Sequence, residues 1–351
     1  MNSDILQNDI KILSEKYDWS NLYNSSILIT GGTGLIGQQL IHLLLFLNQR
    51  KKANITIFAL VRDIDKARNI FTQESSIKFI IGDIQQPFDI ESNLDFIIHG
   101  ASVTQSRYFV DMAVETINTA FDGTRNILEL ARKKQVKSLV YLSSMEVFGI
   151  TDPSLLEIKE GDYGYIDILD PRSSYSEGKR MCECLCASYS SEYNTPVKIA
   201  RLTQTIGPGV DYNDTRIAAL FARSVIEKKD IVLQTEGKPR RPVLYTRDAI
   251  SGILTVLLKG QNGEAYTIAN KNTTLSIREI AEMVATKIAN HNISVKFNIT
   301  NPKEYAFNQN LNLLLNTDKI ESLGWKAEVG LEEAYRRMIE SMQLGLRNIN
   351  N

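Results

Sequence analysis

Short apolar runs alternate with longer segments of helical period through the first half of the chain. Ser26-Ile27-Leu28-Ile29-Thr30 is an apolar run that leads straight into glycines, and Leu35–Leu47 repeats apolar residues as a helix does. Ile55–Val61, Ile77–Ile81, Phe96–His99 and Leu139–Leu142 read as further strands. A long helical stretch from Val114 to Lys133 separates the last two, and a helix from Tyr175 to Tyr193 leads into the strand Val197–Arg201. Near-continuous apolar strands suit a parallel sheet covered on both faces. The expected fold is α/β, a doubly wound parallel sheet.

After Gly207-Pro208-Gly209 the segments become shorter and more mixed, with loops at Asp211–Thr215 and Gly237–Arg241. A late strand is expected at Ala265–Asn270, and two closing helices near Ile277–Ile288 and Leu331–Leu344. These changes divide the chain into an N-terminal extension (1–23), a sheet domain (24–203) and a smaller lobe (204–351). Within that lobe, about 240–270 is expected to return to the sheet domain. A cleft between the two parts is the natural place for a ligand.

Composition narrows the partners. Hydrophobic residues make up 43% of the 351 positions and there are only 8 prolines, which describes a folded chain. The net charge is -1 with no block of like charges, so neither nucleic acid nor an anionic membrane surface is an expected partner. Met1–Asn24 lacks the apolar centre of a signal peptide, and Leu40–Leu47 is too short to span a bilayer. The expected location is cytoplasmic. Cys182, Cys184 and Cys186 alternate along a helical pattern without a second ligand pair, so no metal site is expected.

Two motifs carry chemistry. Gly31, Gly34 and Gly37 are spaced three apart between a strand and a helix, with Thr33, Leu35 and Ile36 among them. Bare backbone there lets a dinucleotide pyrophosphate approach the amides at a helix N-terminus. The second strand ends Leu60-Val61-Arg62-Asp63. An acid for the ribose hydroxyls is expected at the end of that strand in an NAD site, whereas Arg62 suits a 2′-phosphate, so the cofactor is NAD(P), leaning to NADP. In the opposing reading Arg62 is a solvated charge and Asp63 serves as the acid. Asp83 and Ile84 should pass beside the adenine ring.

Tyr175 and Lys179 are the second motif, i and i+4 on one helix. An ammonium and a positive nicotinamide would lower the phenol pKa towards working pH. Ser144, at a strand end, can hydrogen-bond the same reacting oxygen. If that strand continues, alternation puts Glu146 on the same side, where a carboxylate could move a proton at a carbon next to a new ketone.

Together these residues resemble the extended short-chain dehydrogenases that act on nucleotide-diphosphate sugars. The resemblance runs over roughly residues 24 to 340. It rests on Thr30–Gly37, Gly82-Asp83, His99-Gly100-Ala101-Ser102, Ser143–Gly149, Tyr175–Lys179, Arg201, Gly207-Pro208, the Arg241…Tyr245…Asp248 stretch and Leu323-Gly324-Trp325. It implies a Rossmann domain with a substrate-binding lobe, cofactor contacts that include Ala101, and substrate contacts from Ser144, Gln204, Arg216 and Arg241. It also implies a homodimer formed through the two long helices. Ser174–Arg180 and Asn213–Arg216 look most like UDP-glucuronate decarboxylases, and the sugar 4,6-dehydratases share the Glu at 146. The dTDP-glucose type of dehydratase has an Asp where this chain has Met145.

The chain departs from the pattern in three places. Ala120 replaces an Asn of the long helix, and Asn118 faces about 200° away from that position. Gln204 stands where many members have Asn, and Val61-Arg62 is unlike the NAD-using decarboxylases. The resemblance implies oxidation of the sugar at carbon 4 by bound NAD(P), followed by epimerisation, dehydration or decarboxylation. An NADPH-dependent ketone reductase and a non-catalytic NADP-binding sensor are the competing readings.

Overall fold

The computed structural model describes residues 4–71, 76–299 and 312–350. Strands β1 (Ser26–Thr30), β2 (Thr56–Val61), β3 (Ile77–Ile81), β4 (Phe96–His99), β5 (Ser138–Ser144) and β6 (Val197–Leu202) join Ala265–Ile268 in one sheet. The order is Ala265–Ile268, β6, β5, β4, β1, β2, β3, and every pairing is parallel. All of β1 and nearly all of β2, β5 and β6 are buried, which is why these runs carry no polar alternation. The strand order reverses between β1 and β4, with Thr30 level with His99. The crevice past the carboxyl ends of these two strands is the usual ligand site of such a sheet.

Helices cover both faces. Leu35–Lys51 and Thr246–Lys259 lie in one core with Ile27, Ile29, Ile57 and Ile98. Ala113–Lys134 and Ser174–Tyr193 close the other, against Leu28, Ile97, Leu139 and Ile199. Cys182 and Cys186 lie in this second core, whereas Cys184 is exposed. The same two helices leave apolar side chains in the open at Val114 and Met181. Among the described residues, no helix is long and apolar enough to cross a membrane, and no group of side chains could hold a metal ion.

The lobe has its own core, built from Ile217–Glu227, Ile277–Met283 and Leu331–Asn350. Its strands are two or three residues long: Gln204–Ile206 with Val243–Tyr245, Ile231–Leu233 with Val295–Phe297, and Arg240–Arg241 with Leu275–Ser276. The loop expected at Gly237–Arg241 therefore ends in a strand. Gln39 donates to the Pro208 carbonyl (2.7 Å) and so ties the first helix of the sheet domain to the loop that enters the lobe.

Residues Asp4–Lys16 form a helix whose Leu6, Ile10 and Leu13 enter the core shared with Leu35–Lys51. Its Asp9 is fully buried and gathers three partners from elsewhere. Tyr245 Oη donates to it at 2.5 Å, Arg337 at 2.7 Å and Arg247 at 3.3 Å. Burial holds the Asp9 carboxyl above its ordinary pKa in spite of these partners. Removing an acceptor so enclosed takes a buried partner from a phenol and from two guanidinium groups, which keep only the outer carboxylates Glu333 and Glu328. Asp9→Ala is expected to lower the unfolding free energy by roughly 3–5 kcal/mol in urea titrations. A loss within experimental error would show that the node is dispensable.

Candidate active site

The glycine loop is built for close approach. Gly31 adopts φ +73°, and a Cβ there would meet the Gly100 carbonyl at 2.9 Å. A Cβ on Gly37 would meet the Gly31 oxygen at 2.3 Å. Gly34 caps the helix that starts at Leu35, with Ile36 in its first turn, and Gln38 donates to the Thr33 carbonyl at 2.7 Å. Thr30 Oγ1 accepts from the amides of Gly100 and Ala101, which fastens the end of β1 to that of β4. The result is a backbone cradle at a helix N-terminus, which fits a dinucleotide pyrophosphate.

At the end of β2, Arg62 is exposed and makes no ion pair or hydrogen bond with a described residue. Asp63 caps the next helix by accepting from Lys66 N at 2.9 Å. Asp83 accepts from Gln85 N, and Ile84 is buried against Gly123.

The candidate reacting groups meet at the end of β5. Tyr175 accepts or donates a side-chain hydrogen bond with Ser144, and its ring stacks on Phe109 with centroids 4.3 Å apart. Burial pushes the phenol up to about 12, and the Glu146 carboxylate adds to that rise. The Ser144 hydrogen bond, Arg172 and Arg216 pull the other way. The sequence-based expectation of a lowered phenol pKa is thus reversed in the protein by itself, because desolvation exceeds the nearby positive charge. Lys179 is fully buried too, and burial lowers it to about 8. Its Nζ donates to the Leu142 carbonyl at 2.8 Å and sits 5.7 Å from the Tyr175 ring centroid.

Glu146 arrives by another route than the one expected. The strand stops at Ser144, whose Oγ accepts from Glu146 N, and Met145–Phe148 form a 3₁₀ turn. Alternation along β5 therefore does not apply. The turn buries Met145 and leads Glu146 to Arg172 Nη2 (3.0 and 3.2 Å) and to Ser176 Oγ (3.1 Å). Arg172 carried no sequence signal, and Ser176 carried one only as part of the Ser174–Arg180 run, with no role of its own.

Three arginines surround this point. Arg216 caps Ile217–Glu227 and is held by Asp214 through contacts of 2.5–3.1 Å. Arg241 lies on the short strand Arg240–Arg241, and its buried Nε has no partner among the described residues. Burial lowers the Arg241 pKa, Glu146 raises it, and Arg172 and Tyr335 also act on it, so these groups share one space. Gln204 is half-buried and level with Val243, two residues past Arg241. Ala120 packs 3.6 Å from the place of a Cβ on Gly178, and its carbonyl accepts from Cys182.

Of the other residues that carried the resemblance, two are structural. Arg201 is buried and paired with Glu183 at 2.6 Å. Asp248 accepts from the amides of Glu328 and Val329.

A model of the NAD-dependent epimerase/dehydratase family matches residues 27–269. The chain belongs to that family. Its curated relatives include UDP-glucuronic acid decarboxylase 5 of Arabidopsis thaliana, 28% identical over 333 residues and covering 92% of this chain and 91% of that one. UDP-glucuronic acid decarboxylase 1 of Danio rerio is 26% identical over 333 residues, with 94% and 74% covered. An epimerase of Methanothermobacter thermautotrophicus shares the fold at a TM-score of 0.79 and 19% identity, covering 99% and 98% of the two chains. UDP-glucose 4-epimerase of Thermotoga maritima, solved with UDP-glucose, gives 0.76 at 17% identity, with 92% and 99% covered.

The Lys179 pKa has a consequence for this family member's stability. Its folded value lies below the unfolded 10.5, so between about 8 and 10.5 the unfolded chain binds the extra proton and stability rises with pH. Lys198, buried without a carboxylate partner among the described residues and also lowered to about 8, adds to the same slope. Lys179→Met should flatten part of that slope and stabilise the protein at neutral pH. Denaturant titrations across this interval check it; an unchanged slope contradicts it.

Proposed function

We propose that this protein converts a nucleotide-diphosphate sugar through a transient 4-keto sugar made with bound NAD(P). We further propose that the substrate is a nucleotide-linked uronic acid, which loses its carboxyl group. One observation carries the reading. Tyr175 with its Ser144 hydrogen bond, Glu146 and Arg241, whose Nε has no partner among the described residues, share a partly buried space past the end of β5. The names of the curated relatives support it, and so does Met145, because the dTDP-glucose type of dehydratase would have an Asp there.

Bound NAD(P) supplies the hydride acceptor and, later, the hydride donor. Tyr175 takes the proton of the 4-hydroxyl while Ser144 holds the same oxygen. Lys179 stands under the Tyr175 ring as a positive charge, which favours the phenolate. Arg241 is the guanidinium left for the anionic end of the substrate, since Arg216 is held by Asp214 and Arg172 by Glu146. With a ketone at carbon 4, the bond from carbon 5 to the carboxyl carbon breaks and carbon dioxide leaves. The electron pair passes to the ketone as an enolate, and carbon 5 then takes a proton delivered at Glu146.

Product mass after incubation with nucleotide-linked uronic acids tests this reading. Wild-type protein should release carbon dioxide without net consumption of cofactor. Tyr175→Phe should lower turnover by about 10²–10⁴-fold with cofactor affinity kept. Normal turnover in that variant contradicts the assignment.

The cofactor we propose is NADP. Arg62 supports this, being exposed, without an ion pair to a described residue, and next to the cap residue Asp63 at the end of β2. Arg62→Ala should weaken NADP binding by roughly tenfold or more and leave NAD binding unchanged in fluorescence titrations. Equal losses for both cofactors, or none, would point to NAD.

A further inference from the structure

Glu146 is a restrained carboxylate in this protein, and the residue that restrains it has no role so far. Arg172 Nη2 contacts both Glu146 oxygens, at 3.0 and 3.2 Å, and both side chains are mostly buried. The arginine is itself held from two sides. Its backbone lies in the 3₁₀ turn Pro171–Ser173, where Asp170 Oδ1 accepts from Arg172 N at 2.9 Å and Pro171 starts the turn. Its guanidinium lies over the Phe109 ring, 4.9 Å from the centroid, and Phe109 stacks on Tyr175 with only 9° between the rings. Arg172 and Tyr175 thus both lie against the Phe109 ring, and Arg172 carries the ion pair to Glu146.

A planar guanidinium over an aromatic ring keeps its in-plane donors for a carboxylate. The second anchor on Glu146, Ser176 Oγ at 3.1 Å, comes from the helical residue next to Tyr175. Glu146 is therefore registered to the Tyr175 helix and not only to the turn that carries it.

We propose that Arg172 is a positioning residue that fixes Glu146 relative to Tyr175. It thereby governs the step after oxidation, when a proton must be moved at carbon 5. This rests on the 4-keto reading above. In Arg172→Gln the Phe109–Tyr175 stack and the Ser144 hydrogen bond are kept while one charge that lowers the Tyr175 phenol is lost, so oxidation at carbon 4 slows less than the step that follows it. Glu146 loses its charged anchor, and the later proton transfer slows.

The experiment compares wild type, Arg172→Gln and Arg172→Lys, each loaded with NAD(P) and given a nucleotide-linked uronic acid. Steady-state kinetics are read alongside the near-ultraviolet absorbance of reduced nicotinamide. For Arg172→Gln we expect kcat to fall by about 10²-fold with KM within about threefold. Reduced cofactor should accumulate during turnover, where wild type shows little. Arg172→Lys keeps the charge without the fork, so it should recover part of kcat; it also serves if the Gln variant does not fold, with the same signature at smaller size.

A KM raised tenfold or more with kcat kept would make Arg172 a substrate-binding group and overturn the proposal. So would a kcat loss without accumulation of reduced cofactor, or kinetics equal to wild type. Wild-type protein that never reduces its cofactor with any nucleotide sugar would instead overturn the 4-keto reading itself.

Discussion

A parallel sheet sends all its strands out at one edge, and the chemistry of this protein is gathered where β1, β4 and β5 leave the sheet. At the end of β1 the chain must turn immediately into a helix. Gly31 takes a positive φ and lies so close to Gly100 that a side chain has no room. At the end of β5 the Leu142 carbonyl receives the Lys179 ammonium, and Ser144 stops the strand. The pairing of Thr30 with the amides of Gly100 and Ala101 locks the end of β1 to that of β4, which lies between β1 and β5. The glycine cradle and the proposed reacting groups are therefore placed by the same set of strand ends.

Burial sets the electrostatics of the site. It raises the Tyr175 phenol, which stays neutral until further positive charge arrives next to it, and lowers the Lys179 ammonium. The carboxylates and guanidiniums nearby are mostly paired off, Glu146 with Arg172 and Asp214 with Arg216. Arg241 is the exception, with a buried Nε that lacks a partner among the described residues. Such a group carries a desolvation cost that an anionic ligand would relieve. The lobe contributes this arginine on a two-residue strand, and so the site spans both parts of the chain.

The sheet was legible in the sequence because parallel strands buried on both faces are apolar at every position, and their ends were marked by Gly31 and by Ser144. The lobe was less so. Strands of two or three residues, such as Arg240–Arg241 and Ile231–Leu233, are too short to show a period. Glu146 was expected on the same side as Ser144, but the argument from strand alternation fails because Ser144 caps a 3₁₀ turn instead of continuing the strand. Asp9 gave no sign of its role, since its partners Tyr245, Arg247 and Arg337 are more than two hundred residues away. Arg172 was hidden for a related reason: a charge in a polar stretch looks like any solvated charge until the fold puts Phe109 beneath it.

The most direct test of the account is a carbon balance on the untreated enzyme. Purified protein carrying NAD(P) would be mixed with a nucleotide-linked uronic acid, and released carbon dioxide compared with the cofactor's oxidation state before and after. The account predicts many equivalents of carbon dioxide per enzyme with the cofactor returned to its starting form. Consumption of NADPH in step with product, or no carbon dioxide from any such sugar, would contradict it.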